Sequence, residues 1–226
     1  NFIAKYVTKR PESMFQDDLH THQAALTKAI EGKSVLVIGG AGSIGSSYIK
    51  ALLPFKPKTL VVVDISENGL TELTRELRST SAFTVPTDYV TYPMNYADDT
   101  FVKMFKARGG FDIVANFSAH KHVRSEKDKY SVEALLKNNV VNAKKFLDLL
   151  CDYPPKHFFC VSTDKAANPV NIMGGSKKIM EDMIMAYAHK FPVTTARFAN
   201  VAFSNGSLPA GFLERIGKNQ PLSAPS

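Results

Sequence analysis

Residues 34–53 read S-V-L-V-I-G-G-A-G-S-I-G-S-S-Y-I-K-A-L-L, and the order of these parts decides the fold. Ser34 to Ile38 is a short apolar run of the kind that forms a buried strand, and a helical pattern follows to about Leu53. Between them stand Gly39, Gly42 and Gly45. Glycine permits a tight turn and lets backbone amides approach a pyrophosphate, while the helix N-terminus adds partial positive charge. A plain strand-to-helix turn rarely needs three glycines at this spacing. The stretch reads as the opening of a βαβ unit that binds a dinucleotide.

The rest of the chain repeats that unit. Thr59 to Val63 is a second strand, and it ends in Asp64, about where a ribose 2′-hydroxyl is held. Ile65, Ser66 and Glu67 bring no cation for a 2′-phosphate, which favours NAD over NADP. Asp64 can also cap the helix expected over Gly69 to Leu77. A third strand is expected near Tyr89 to Met94 and a fourth over Phe111 to Phe117, with a helix from about Thr100 to Lys106 between them. A long helix, Val132 to Asp152, places its apolar residues on one face, with Asn138 and Asn139 interrupting it. A polar residue of this kind either faces the cleft or, by default for an asparagine, the surface. Strands His157 to Val161 and Val193 to Phe198, with helices Ser176 to Lys190 and Ala210 to Gly217, complete an α/β, doubly wound parallel sheet. Residues 1–31 read as an arm with a weak helix from about Gln16 to Ile30, and 32–226 as one dinucleotide-binding domain.

Bulk properties limit the function. The 226 residues carry a net charge of +7, with 44% hydrophobic and 22% charged residues, as in a globular protein with one good core. No apolar run approaches membrane-spanning length, and no signal peptide is visible. The lysines are scattered and no nucleic-acid motif accompanies them, so an anionic small molecule suits the charge better than DNA or RNA. Two cysteines, Cys151 and Cys160, are too few for a disulfide framework and fit a reducing, cytoplasmic compartment. His120 and His122 have no third ligand nearby, so no metal is expected.

Chemistry concentrates in Ser162 to Lys177, S-T-D-K-A-A-N-P-V-N-I-M-G-G-S-K. Thr163, Asp164 and Lys165 put a hydroxyl, a carboxylate and an ammonium at the carboxyl end of a buried strand, where open α/β sheets bind ligands. Lys177 lies one helical turn after Met173, so the two share a face, with the helix expected to begin around Gly175 to Ser176. Taken alone, Thr-Asp-Lys also reads as a solvated charge pair at a strand exit.

Taken together, the glycine turn, Asp64, F-S-A-H-K-H-V (Phe117 to Val123) and the Ser162 to Lys177 block resemble an extended short-chain dehydrogenase/reductase. More narrowly they resemble its CapD-like polysaccharide-biosynthesis branch, the UDP-N-acetylglucosamine 4,6-dehydratases. R-F-A-N-V (Arg197 to Val201) and N-G-S (Asn205 to Ser207) resemble the loop that meets the nucleotide sugar. The resemblance implies a Rossmann fold, NAD as cofactor, a UDP-sugar substrate and a homo-oligomer built on the helices Val132 to Asp152 and Ser176 to Lys190. It implies that the chain ends where a small substrate-binding lobe would begin. It assigns Thr163 to the C4 hydroxyl, Asp164 as the acid at C6, Lys165 as the base at C5, and Lys177 to the nicotinamide ribose. It implies cofactor contacts from Gly39, Gly42, Ser43, Ile44, Gly45, Asp64, Asn95, Tyr96, Ala119, Lys121 and Lys177. Substrate contacts would come from Lys121, Met173, Asn200 and Ser204.

Two residues depart from the pattern. Met173 stands where most of the superfamily has tyrosine, and a thioether exchanges no proton, so Asp164 is expected to accept the C4 proton as well. Asn95 replaces the usual aspartate beside the adenine and can still hydrogen-bond there. A UDP-sugar 4-epimerase is the first alternative, but it depends on tyrosine and needs no Asp-Lys pair. A non-catalytic NAD-binding scaffold is the second, and it would have no use for Thr-Asp-Lys.

Overall fold

The computed structural model describes residues 3–10, 12–118 and 128–222. Six strands form one parallel sheet: β1 Ser34–Ile38, β2 Thr59–Asp64, β3 Asp88–Pro93, β4 Ile113–Asn116, β5 His157–Thr163 and β6 Val193–Phe198. Their order across the sheet is β3-β2-β1-β4-β5-β6. The chain builds outward from β1 to β3, then crosses back to lay β4 on the other side of β1. Loops leaving β1 and β4 therefore diverge, and a crevice opens at the carboxyl ends of those strands.

The helices are α1 Gln16–Thr21, α2 Gln23–Ile30, α3 Ser43–Leu52, α4 Glu67–Ser79, α5 Asp99–Ala107, α6 Lys129–Leu136, α7 Ala143–Asp152, α8 Ile172–Ala186 and α9 Leu208–Gly217. Alternation along the strands divides the core. Val35, Val37, Leu60 and Val62 face α3 and α4 with Ile49, Leu52, Leu70, Leu73 and Leu77. Leu36, Ile38, Val61 and Val63 face α5, α7 and α8 with Phe101, Phe105, Phe146, Leu147 and Ile184. Leu36 is fully buried; truncating such a side chain to alanine costs about 2–5 kcal/mol. Edge-on aromatic contacts knit the second half, with Phe146 5.8 Å from Tyr96 and 5.7 Å from Phe101.

At the amino end of the sheet, the β1–β4 seam is closed by a reciprocal clasp. Ser34 N and Ser34 Oγ donate to Asp112 Oδ2 at 2.9 and 3.0 Å, and Asp112 N donates to Ser34 Oγ at 3.0 Å.

Three expectations need correction. The helix expected over Gln16 to Ile30 is two helices meeting at His22, and neither buries a residue fully. The long helix starts earlier, at Lys129, and widens by a turn over Lys137–Asn142 before α7. There Asn139 is buried, not on the surface, and its amide donates to Ser176 Oγ on α8 at 3.1 Å. Helix α8 spans Ile172–Ala186, one turn ahead of the expected Ser176 start, because Asn171 caps it by accepting from Gly174 N at 2.8 Å.

Candidate active site

The glycine turn sits at the crevice. Gly39 has φ +75°, a left-handed conformation that a side chain rarely adopts, and an added Cβ would lie 2.7 Å from Ser118 N. Gly39 N donates to Val63 O at 2.7 Å and Phe117 N to Ile38 O at 2.7 Å, so the turn is fixed to strands on both sides. Helix α3 begins at Ser43, its first amides directed at the crevice. Asp64, at the end of β2, accepts from Ala41 N at 3.0 Å and from Ser66 N at 2.9 Å. The cap of α4 is Ser66, whose Oγ accepts from Gly69 N, so the capping role weighed for Asp64 falls to its neighbour. Asp64 instead ties the second strand to the glycine turn.

Strand β5 delivers the reactive block. After Thr163 the chain enters a single tight turn, Asp164–Ala166. Asp164 Oδ1 accepts three bonds: from Thr163 Oγ1 at 2.9 Å, Lys165 N at 2.9 Å and Lys165 Nζ at 3.2 Å. The Thr163 bond, then Lys165's bonds and charge, hold its carboxyl below the usual range. Lys165 Nζ also donates to Asn200 Oδ1 at 3.3 Å.

Helix α8 closes the floor. Gly174 packs so tightly that a Cβ would lie 2.5 Å from Lys165 O. One turn apart, Met173 and Lys177 are both 3% exposed. Lys177 Nζ donates to Val161 O at 3.3 Å and lies 3.6 Å from Met180 Sδ. Burial pushes its amine below the ordinary lysine range.

These elements surround one cleft of about 710 Å³. Its wall includes Gly39, Gly42, Ser43, Ile44, Gly45, Asp64, Asn95, Tyr96, Thr163, Lys165, Met173, Lys177, Asn200 and Ser204. Asp164 is not on that wall and reaches it through Thr163 and Lys165. Ala119 and Lys121 lie outside the described residues, as do His120 and His122. Sequence reasoning missed two contacts that depend on the fold. Tyr96 Oη donates to the Asn138 carbonyl at 2.9 Å, joining the third and fourth βα units. Asn205 N donates to Ser43 Oγ at 2.9 Å, so the loop after β6 touches the first turn of α3. Among the described residues no group of three or more His, Cys, Asp or Glu is placed to hold a metal. No helix among them is long and apolar enough to cross a membrane.

The family described as polysaccharide biosynthesis protein matches residues 35–224. The chain belongs to that family. A membrane protein of Methanocaldococcus jannaschii, named as uncharacterised, is 35% identical over 93% of this chain and 59% of its own length. A UDP-N-acetylglucosamine 4,6-dehydratase (inverting) of Campylobacter jejuni is 28% identical over 82% of the chain and 54% of its own length. Relatives of like identity carry the name UDP-glucose 4-epimerase. The solved structure of Pen from Bacillus thuringiensis superposes with a TM-score of 0.74 at 26% identity, covering 87% of this chain and 59% of that one. The chain thus spans between a third and three fifths of the first of its curated relatives.

Proposed function

We propose that this chain carries the cofactor-binding and reactive half of a NAD-dependent 4,6-dehydratase acting on a UDP-N-acetylhexosamine, UDP-N-acetylglucosamine foremost, in the biosynthesis of a surface polysaccharide. One observation carries the reading. The glycine turn, the buried Lys177, Thr163 and Lys165 line a single cleft, with Asp164 bonded to the last two, although they come from two separate βα units, β1–α3 and β5–α8.

The cleft fits the dinucleotide. The turn at Gly39, Gly42 and Gly45 leaves the α3 amides open to a pyrophosphate, and Asp64 keeps lone pairs for ribose hydroxyls. Lys177 lines the same cleft, suited to the nicotinamide ribose. When bound, NAD⁺ supplies the redox chemistry, withdrawing hydride from C4 and returning it at C6.

The chain's own side chains move protons. With Met173 in place of tyrosine, a C4 hydroxyl resting on Thr163 has one outlet along existing bonds, Thr163 Oγ1 to Asp164 Oδ1. Asp164, kept ionised, takes that proton and later gives it to the departing C6 hydroxyl, which leaves as water. With Asp164 protonated, the carboxylate no longer holds Lys165 in its charged form. The partly exposed ammonium gives a proton to solvent, and the free amine then removes the C5 proton, acidified by the C4 ketone, and later returns a proton to C5. Asp164 and Lys165 distinguish this reading from epimerisation, which needs neither elimination nor a second base.

Incubation of the protein with UDP-N-acetylglucosamine and NAD⁺ in deuterated water tests it. Loss of one water with a new C6 methyl and deuterium at C5 is the expected product. Unchanged mass with an inverted C4 would replace the dehydratase by an epimerase, and bound NAD with no turnover would favour another sugar or a scaffold.

A further inference from the structure

The outermost strand of the sheet, β6, is hydrogen-bonded to β5 alone among the described strands. Its register sets Ser162 opposite Arg197 and Thr163 opposite Phe198, so the residues just after β6 run beside Asp164 and Lys165. An edge strand with one neighbour needs a second anchor if its end is to be placed accurately. That anchor is an ion pair. Arg197 Nε donates to Glu181 Oε1 and Oε2 at 3.0 and 3.2 Å, and a terminal nitrogen donates to Oε2 at 2.7 Å. Glu181 is on α8, four residues after Lys177, with its side chain 7% exposed against 42% for Arg197. Burial opposes its ionisation, but the bonds and charge of Arg197 outweigh this and keep the carboxyl below its ordinary range.

Rigidity alone would be served as well by an apolar pair, without the desolvation that a buried carboxylate carries. A forked arginine adds direction, because two parallel bonds fix the plane of the guanidinium. Three residues beyond Arg197 is Asn200, whose Oδ1 accepts from Lys165 Nζ at 3.3 Å. Lys165 thus has two described holders, Asp164 from its own turn and Asn200 from the end of β6.

We propose that Glu181, acting through Arg197, is a positioning residue for Lys165: it fixes the end of β6 so that Asn200 holds the lysine amine beside Asp164. Asn200 then belongs to the support of the base as well as to the sugar-facing wall. The helix that carries Lys177 and Met173 is by this clamp kept in register with the turn that carries Lys165. The proposal rests on the reading of Lys165 as the base at C5, and its first test needs no substrate.

That test is the labelling rate of Lys165 by trinitrobenzenesulfonate in the NAD-loaded protein, followed by mass spectrometry across pH. Glu181→Gln and Asn200→Ala each loosen the amine and raise labelling about threefold, and the double variant is labelled no faster than either single one. Asn200→Asp adds a second carboxylate and slows labelling about tenfold at a fixed pH, a change of the size of one titration unit. In the dehydration assay Glu181→Gln lowers kcat about tenfold with KM within twofold, since a displaced base costs rate and not binding. Arg197→Lys keeps the charge, loses the fork and gives the same result if Glu181→Gln folds poorly. Labelling unchanged in Glu181→Gln, or effects that multiply in the double variant, overturns the proposal. Labelling that behaves as expected while no UDP-sugar is dehydrated would sink the dehydratase reading and leave the clamp standing.

Discussion

Two alanine substitutions three residues apart should have opposite consequences. At Gly45, inside α3, a Cβ would lie 2.3 Å from Gly39 O and 2.8 Å from Gly40 Cα, both backbone atoms that cannot rotate away. That is about 1 Å inside ordinary contact, an overpacking that costs about 3 kcal/mol. Alanine returns about 1 kcal/mol as the better helix former, leaving a loss of about 2 kcal/mol. In a chain of this size that lowers Tm by roughly 4–8 °C. At Gly42 the nearest atom to an added Cβ is Gly39 O at 3.4 Å, and φ is −72°, open to any residue. Alanine is the poorer N-cap but restricts the unfolded chain, and these contributions of under about 1 kcal/mol offset one another. The new methyl, however, stands on the cleft wall where a pyrophosphate must come close. Gly42→Ala should therefore unfold in urea within about 0.5 kcal/mol of the parent while titration calorimetry shows NAD bound at least tenfold more weakly. Gly45→Ala should lose stability and binding together. A Gly42→Ala protein with parental NAD affinity would refute the placement of the cofactor on this turn, and a Gly45→Ala protein with parental stability would refute the close packing of α3 against it.

Asp164→Asn should bind NAD normally yet show neither reduced-nicotinamide absorbance nor loss of water with UDP-N-acetylglucosamine; C4 oxidation surviving in that variant would separate the two roles given to the carboxylate. Because the Glu181 carboxyl is depressed in the folded state, its ion pair adds stability above the ordinary carboxylate range and loses it as pH falls through the folded value. The urea midpoints of the parent and Glu181→Gln should accordingly differ at pH 7 and converge in acid, and a constant gap would contradict the assignment. Burial pushes the Cys160 thiol up to about 11, so iodoacetamide at pH 7.5 should leave it unmodified until the protein unfolds, as peptide mass spectrometry would read out.

What could be read from the chain, and what could not, follows from the range of each interaction. The β1–turn–α3 unit was legible because strand, glycines and helix are contiguous and each glycine answers a local constraint. The start of α8 was not. The helix was expected to begin around Gly175 to Ser176, whereas Gly174 is already helical and packs against the Lys165 carbonyl. Asn139 read as a surface residue because its partner, Ser176, lies on another helix. Glu181 drew no notice at all: its partner is on a strand and its effect on the site passes through a third element. Asp64 was located correctly at the end of β2, yet its two backbone partners could be named only once the glycine turn was folded beside it.

The clasp between Ser34 and Asp112 has a consequence for how the protein folds. Its partners are 78 residues apart, and closing a loop of that length costs about 4 kcal/mol of chain entropy before any contact repays it. Strands β1 to β3 can zip together as neighbours in sequence, and β4 to β6 can do the same, but the join between them cannot form piecemeal. The expectation is two halves that collapse early and a seam that closes last. Asp112→Ala should then quicken unfolding and leave the refolding rate nearly unchanged.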